Sequence, residues 1–220
     1  IEAKVLVDCS GVHGYEEELD SSSNTYYSLP YGGTYSGVNS IKQDTAYFMW
    51  PNEEFGLGGG WFYPLEDGKA SFGYAAISKS PYVNPGEMEG RLDRAMHKFE
   101  PYSSLLANAK REHTEKGIIP IAYRKSLVAR NILFAGDAAG MATNWTCMGI
   151  EPAIKYGKIA GDLAAQAAWQ NDCDILNHYQ RIWDVDNKSV YDGVQLLSDK
   201  FWNGNHYFWE WITKNDLHGC

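Results

Sequence analysis

The sequence predicts a mixed α/β (α+β) chain in which an antiparallel sheet lies between segments of strand, glycine turn and helix. Three observations predict it. The run Gly58 to Leu65, the turn Glu66-Asp67-Gly68-Lys69 and the run Ala70 to Ile77 carry the pattern of a β-hairpin. The apolar stretch Ile132-Leu133-Phe134 stops on a glycine-rich acidic turn, and the small-residue pattern from Ile150 to Trp169 comes after it. The opening run Lys4-Val5-Leu6-Val7 is followed at once by Asp8-Cys9-Ser10-Gly11, a strand ending in a turn. With 44% apolar residues in 220, the chain is long enough to bury a substantial core.

Charge and cysteine content narrow the function classes. Lys plus Arg number 19 against 28 Asp plus Glu, a net charge of -9, which repels phosphate backbones and speaks against nucleic acid as a partner. The 4 cysteines, Cys9, Cys147, Cys173 and Cys220, form no C-x-x-C pair and stand beside no histidine at zinc-ligand spacing, so no metal site is expected. No run approaches the length of a membrane span, and the first residues lack signal-peptide order, so a cytoplasmic location is expected.

Along the chain, a buried first strand over Lys4 to Val7 looks like an element whose sheet neighbours lie elsewhere, and the chain therefore reads as truncated at its start. From Tyr15 to Tyr47 the Ser, Tyr, Gly and Asn content suits short antiparallel strands, with Tyr31-Gly32-Gly33-Thr34 as a candidate turn. A helix is expected over Pro85 to His97, with Met88, Leu92 and Met96 on one face, and a shorter one over Pro101 to Lys110. The helix from Ile150 carries Pro152 in its first turn and a small-residue face of Ala153, Ile154, Gly157, Ile159, Ala160, Leu163, Ala164 and Ala167. Beyond Asp172 the chain reads as polar helix through Tyr191, then as an aromatic tail from Phe201 to Trp211.

Strand, Gly136-Asp137 turn, loop, and Gly149-Ile150 opening a helix form an arrangement that aims backbone N–H groups at one spot. Asp137 at the strand's end either accepts hydrogen bonds from ligand hydroxyls or caps its own turn, and residue types leave both readings open. The 6 histidines are scattered with no acid or nucleophile at useful spacing, so no catalytic residue is assigned.

The stretch Arg130-Asn-Ile-Leu-Phe-Ala-Gly136-Asp137-Ala138-Ala139-Gly140, followed by Thr146, Gly149 and Ile150, resembles the second FAD-binding motif of the geranylgeranyl reductase family. That family lies within the glutathione-reductase-type and aromatic-hydroxylase-like flavoproteins. Val5 to Gly11, Gly60-Trp61-Phe62-Tyr63-Pro64-Leu65 and Gly117-Ile118-Ile119-Pro120 are similar to three more of its motifs, in the same order. The resemblance implies a partial Rossmann-like FAD-binding domain with an inserted antiparallel β-sheet substrate domain and a C-terminal helical segment. Its divisions fall at 1–14, 15–116, 117–171 and 172–220. The implied cofactor is FAD, with Gly136, Asp137, Ala138, Thr146, Gly149 and Ile150 as its binding residues. Asp137 would accept from the ribityl chain, and the amides at Gly149 and Ile150 would face the flavin pyrimidine edge. Trp61, Tyr63 and Pro64 would line the pocket of an isoprenoid or other apolar substrate; the alternative is ordinary sheet core. The implied reaction hydrogenates isolated carbon–carbon double bonds.

Departures matter too. Where the family carries a Gly-acidic-Gly-Ile stretch, this chain has Cys147-Met148-Gly149-Ile150, so a carboxylate is replaced by Met148. No G-x-G-x-x-G loop precedes a helix, because Gly56-Leu57-Gly58-Gly59-Gly60 sits within the sheet region, and a C-terminal fragment is the expectation. Competing readings are a flavin-dependent monooxygenase or halogenase and a non-catalytic binding domain that has lost the nucleotide half. The electron donor is not legible, and the aromatic tail leaves contact with a membrane interface as an alternative.

Overall fold

The computed structural model describes residues 3–16, 26–39, 41–49, 58–82, 84–121, 124–143 and 146–194, without the side chains of 15 and 16. The elements in chain order are β1 (Leu6–Asp8), α1 (Val12–Glu16), β2 (Tyr27–Ser36), β3 (Tyr47–Met49), β4 (Gly58–Pro64) and β5 (Ala70–Ser78). They continue with α2 (Pro85–Lys98), α3 (Tyr102–Leu105), β6 (Lys110–Lys116), β7 (Ile119–Pro120), β8 (Val128–Ala129), β9 (Ile132–Phe134), α4 (Ile150–Gln170) and α5 (Asn177–Trp183). The chain divides into two compact units, one running from Tyr27 to Ile118 and the other combining the stretch before Tyr27 with the stretch from Ile119.

In the continuous unit the strands run β3-β4-β5-β2-β6, all antiparallel. The hairpin forms where expected: Asp67 and Gly68 take φ of 58° and 68°, the left-handed pair a primed turn requires, and the Lys69 N–H donates to the Glu66 carbonyl at 3.2 Å. Period-two alternation sends Phe62, Phe72 and Tyr74 to one face, where α2 covers them with Met88, Leu92 and Ala95. Helix α2 starts as the sequence predicts, with Pro85 in the first turn and the Asn84 side chain accepting from the Gly86 N–H at 2.9 Å. An acid–base cluster ties it to the sheet: Tyr31 Oη donates to Glu89 at 2.6 Å and Arg111 Nη2 to the same carboxylate at 2.8 Å. The Arg111 hydrogen bond, and then that of Tyr31, holds the Glu89 carboxyl below its usual range.

Two expectations are corrected here. Tyr31 to Thr34 is no turn but the middle of β2, because Gly32 and Gly33 serve close strand packing: an added Cβ would strike the Phe72 and His113 carbonyls, respectively. The second helix is confined to Tyr102–Leu105, since the chain from Lys110 is taken into pairing with β2 as β6.

In the discontinuous unit β1 pairs in parallel with β9, Leu6 opposite Ile132 and Asp8 opposite Phe134, and β8 adds antiparallel on the far side of β9. The first strand is less buried than its apolar run suggests: Leu6 is exposed and Val7 and Asp8 are half-buried. Helices α4 and α5 share this unit's core with Leu133, Tyr156, Ala160, Tyr179 and Trp183. The buried face of α4 is Pro152, Tyr156, Ala160 and Ala167, whereas Ile154, expected on that face, points to solvent, because bulky Tyr156 and not the small residues sets the inward direction. The polar helix after Asp172 is present as a 3₁₀ turn, α5, a π-helical turn at Asp184–Lys188 and helix over 189–194. The aromatic tail lies outside the described residues. Among the described residues no helix is long and apolar enough to cross a membrane.

The Trp61 indole packs on its cross-strand neighbour Gly73, so a Cβ at Gly73 would stand 2.2 Å from Trp61 Cζ2 and 2.4 Å from Cη2. Gly73→Ala is expected to destabilise this unit by about 1–3 kcal/mol through overpacking. In a double-mutant cycle followed by denaturant unfolding, Trp61→Ala should remove most of that cost.

Candidate functional site

The site is built on the turn that ends β9. The Ala135 N–H donates to the Asp8 carbonyl at 3.0 Å, which extends the parallel ladder one residue further before the chain breaks into a 3₁₀ turn at Gly136–Ala139. Gly136 has φ 64°, and Gly140 closes the turn with φ 64°, its N–H donating to the Asp137 carbonyl at 3.0 Å. The Met141 N–H donates back to the Gly136 carbonyl at 3.1 Å.

Arg124, 7% exposed, anchors this turn from behind. Its Nη1 donates to the Gly14 carbonyl at 2.7 Å and to the Ala138 carbonyl at 3.1 Å, and its guanidinium lies 3.8 Å from the Phe134 ring centroid. Its backbone N–H donates to the Ala139 carbonyl at 3.1 Å. One cation thus binds α1 and the Asp137 turn together. Gly14 lies close to the end of β1 on the other side, where a Cβ would stand 2.6 Å from Ser10 Oγ and 2.7 Å from Asp8 Oδ2.

The chain then folds over itself. The Thr143 N–H donates to the Met148 carbonyl at 3.1 Å, the Cys147 N–H to the Thr143 carbonyl at 2.9 Å, and the Met148 N–H to Thr143 Oγ1 at 3.2 Å. Thr146 Oγ1 lies 2.7 Å from Thr143 Oγ1, so Thr146 closes the loop with its hydroxyl. Cys147 sits in this knot with φ 55° and is half-buried. Gly149 caps α4 without any side-chain capping bond, and Pro152 has no N–H, so the donors opening α4 are the amides of Ile150 and Glu151.

Of the expected cofactor residues, Gly136, Asp137, Gly149 and Ile150 come together. A Cβ at Gly149 would stand 3.3 Å from the Ala142 Cβ and 3.7 Å from Asp137 Oδ1, which places the carboxylate beside the start of α4. The Asp137 side chain is half-buried, and among the described residues no donor reaches its carboxylate. Burial without a compensating partner pushes its carboxyl above the usual aspartate range. Ala138 is fully buried and contributes its carbonyl to Arg124, and the Ile150 side chain is 80% exposed, so these two bring backbone groups to the turn and the helix start.

In the other unit, Trp61 and Tyr63 share the sheet face opposite α2, with Phe48 at 5.6 Å from the Tyr63 ring centroid. Trp61 Nε1 donates to Ser71 Oγ at 3.2 Å. Pro64 alternates to the core-side position at the strand's end, opposite Ala70. The sequence gives little hint of Arg124, Tyr179 or Tyr191 as supports of the turn; an arginine set among Ile121, Leu127 and Leu133 is the only signal, since a buried guanidinium needs several acceptors.

The strand, acidic turn and helix start, with an antiparallel sheet inserted in the chain, define the fold of the FAD-dependent reductases, halogenases and monooxygenases. A geranylgeranyl bacteriochlorophyll reductase-like protein from Thermoplasma acidophilum superposes with a TM-score of 0.74 at 19% identity, covering 90% of this chain and 50% of that one. A flavin-dependent brominase superposes with a TM-score of 0.67 at 18% identity, covering 99% of this chain and 56% of that one.

Within that class the sequence similarity is to lipid reductases. Digeranylgeranylglycerophospholipid reductase 2 of Methanopyrus kandleri is 28% identical over 147 residues, covering 66% of this chain and 37% of the relative. The protein of the same name from Methanococcoides burtonii is 28% identical over 167 residues, covering 74% of this chain and 39% of the relative. The resemblance read from the motifs is borne out by these relatives, of whose length the chain spans well under half. No protein-family model matches the chain.

This geometry has two measurable outcomes. Because the folded Asp137 value lies above the unfolded one, its stability contribution is present below the unfolded value and lost as pH rises through the folded one. Asp137→Asn should therefore raise the melting temperature of the ligand-free chain at pH 7, a gain that vanishes below the ordinary aspartate range in a pH series. Arg124→Met keeps the volume but strands two carbonyls. It should cost about 3 kcal/mol in denaturant unfolding.

Proposed function

We propose that this chain is part of an FAD-dependent oxidoreductase of the prenyl-reductase kind, which hydrogenates isolated double bonds of isoprenoid lipids. The observation that carries it is the half-buried Asp137 carboxylate, without a donor among the described residues, set beside the uncapped start of α4. Half-burial disfavours the charged form of this carboxylate, and hydroxyls of a ribityl chain are donors that would offset that cost. The residues present fit the cofactor on that ground.

FAD bound here and reduced by an external electron donor would supply the hydride for reduction of a carbon–carbon double bond, with the second hydrogen arriving as a proton from water. Asp137 accepts from the ribityl hydroxyls, and Gly136, Gly149 and the buried Ala138 keep Cβ bulk away from the approach. The amides of Ile150 and Glu151, at the positive end of a 21-residue helix, favour negative charge at the flavin pyrimidine edge. Thr146 holds the intervening loop closed through Thr143. In the other unit Trp61 and Tyr63 offer an aromatic surface bordered by Gly73 and Gly59, and Pro64 ends the strand beside it. The names of the curated relatives support an isoprenoid lipid as the substrate class.

A halogenase or monooxygenase is the second reading, favoured by the brominase superposition over 99% of the chain. Product analysis separates the two: saturation of a polyprenyl lipid supports the first, and insertion of halide or hydroxyl supports the second. Visible absorption with added FAD tests the cofactor directly, with red-shifted flavin bands and quenched fluorescence expected. Asp137→Ala should weaken that binding about 10- to 100-fold, as loss of hydrogen bonds to a charged acceptor does. Equal titration curves for the variant and the parent chain would sink the assignment of Asp137.

A further inference from the structure

The π-helical turn at Asp184–Lys188 is the least ordinary piece of backbone in the discontinuous unit, and such turns concentrate at functional sites. Tyr156 Oη donates to Asp186 Oδ2 at 3.0 Å, Asn187 Nδ2 donates to the same Tyr156 oxygen, and Lys155 Nζ reaches Asp186 at 2.9 Å. Consecutive residues of an α-helix point about 100° apart and do not share one hydroxyl. The wider turn lets Asp186 and Asn187 converge on α4.

The same turn resets the phase of the helix beyond it. Tyr191 comes eight positions after Trp183, which in unbroken α-helix would rotate it about 80° away; with one residue absorbed by the π turn the remainder is about 20°. The two rings accordingly meet at 5.1 Å between centroids, and Tyr191 is buried. Its hydroxyl donates to the Met141 carbonyl at 2.6 Å. Burial pushes that phenol up to about 12, so it stays a donor throughout the working pH range.

Met141 is the residue at which the Asp137 turn ends and the return loop begins. Its N–H is held by the Gly136 carbonyl and its carbonyl by Tyr191, so the peptide units on either side of Met141 are each fixed by one hydrogen bond. The next residue, Ala142, is the one against which Gly149 packs.

We propose that Tyr191 is a positioning residue for the Asp137 site: through the Met141 carbonyl it fixes Ala142, and through Ala142 it sets the start of α4 beside the Asp137 carboxylate. As a role in cofactor binding this rests on the proposed flavin site; as a role in the geometry of the loop it does not.

Tyr191→Phe keeps the ring against Trp183 and deletes the donor. Tyr179→Phe is the control, because the Tyr179 hydroxyl donates at 3.0 Å to the carbonyl of Phe134 in β9, ahead of the loop, and the Phe134 N–H is separately held by the Leu127 carbonyl. In the ligand-free chain, Tyr191→Phe should speed amide hydrogen exchange about tenfold at Met141, Thr143 and Met148, the hydrogen-bonded amides of this loop, with Leu133 unchanged. Tyr179→Phe should leave those three amides alone, even where it lowers the melting temperature as much. With FAD, Tyr191→Phe should weaken binding about tenfold and shift the flavin bands. Unchanged exchange in Tyr191→Phe, or equal acceleration in both variants, overturns the proposal. Accelerated exchange in a chain whose parent form binds no FAD would overturn the flavin reading and leave the positioning role standing.

Discussion

A buried guanidinium is the constraint on which the discontinuous unit depends. Arg124 carries a full charge into a region where Phe134 covers its face, and a cation is tolerated there because carbonyls from two separate elements accept its protons. The Gly14 and Ala138 oxygens belong to a short helix and a 3₁₀ turn, elements whose last carbonyls lie beyond the reach of their own repeating hydrogen bonds. The arrangement is reciprocal. The arginine needs the turn to be solvated, and the turn needs the arginine to keep a non-repetitive backbone in one conformation. Tyr179 and Tyr191 continue the same logic at the carbonyls of Phe134 and Met141, so the acidic turn is held by side chains that come from far along the chain.

This explains how Asp137 can stand without a donor among the described residues. A carboxylate on a loose turn would rotate to find water or a nearby amide, and the cost of its burial would vanish with the site. On a turn fixed at its carbonyls, the side chain stays where it is disfavoured, and the deficit becomes available to whatever ligand brings hydroxyls. Cys147 and Met148 occupy the part of the loop that departs from the family pattern, yet the bonds among Thr143, Cys147 and Met148 preserve a closed knot. The substitution of a carboxylate by Met148 therefore alters the chemistry offered at the rim more than the path of the chain.

How much of this was legible in the sequence depends on the range of the interactions concerned. The β4–β5 hairpin, α2 and α4 are written in local signals: Asp67-Gly68 supplies a primed turn, Asn84-Pro85 a helix start, and 3.6-residue spacing the buried face. The Asp137 turn was legible as a strand stopping on glycine. Gly32-Gly33 misled because a glycine pair serves a turn and a tight strand crossing equally well, and only neighbours from β5 and β6 decide between them. Arg124, Tyr179 and Tyr191 left almost no trace, since an acceptor that is a backbone carbonyl far away in sequence has no residue type to betray it. The π turn had none at all, because it is a response to Tyr156.

The insertion of one unit within the other also fixes an order of assembly. Strand β1 waits for β9, more than a hundred residues later, and closing so long a disordered loop costs on the order of 4 kcal/mol in chain entropy. The continuous unit removes most of that burden by folding first: its own register brings the Gly117 N–H to the Pro30 carbonyl at 3.1 Å, so its two ends leave side by side. Just outside it, the Ile121 N–H meets the Tyr26 carbonyl at 2.9 Å. During synthesis the sheet can therefore form while β9 is still unmade, and it then delivers the two halves of the parallel ladder to each other as neighbours.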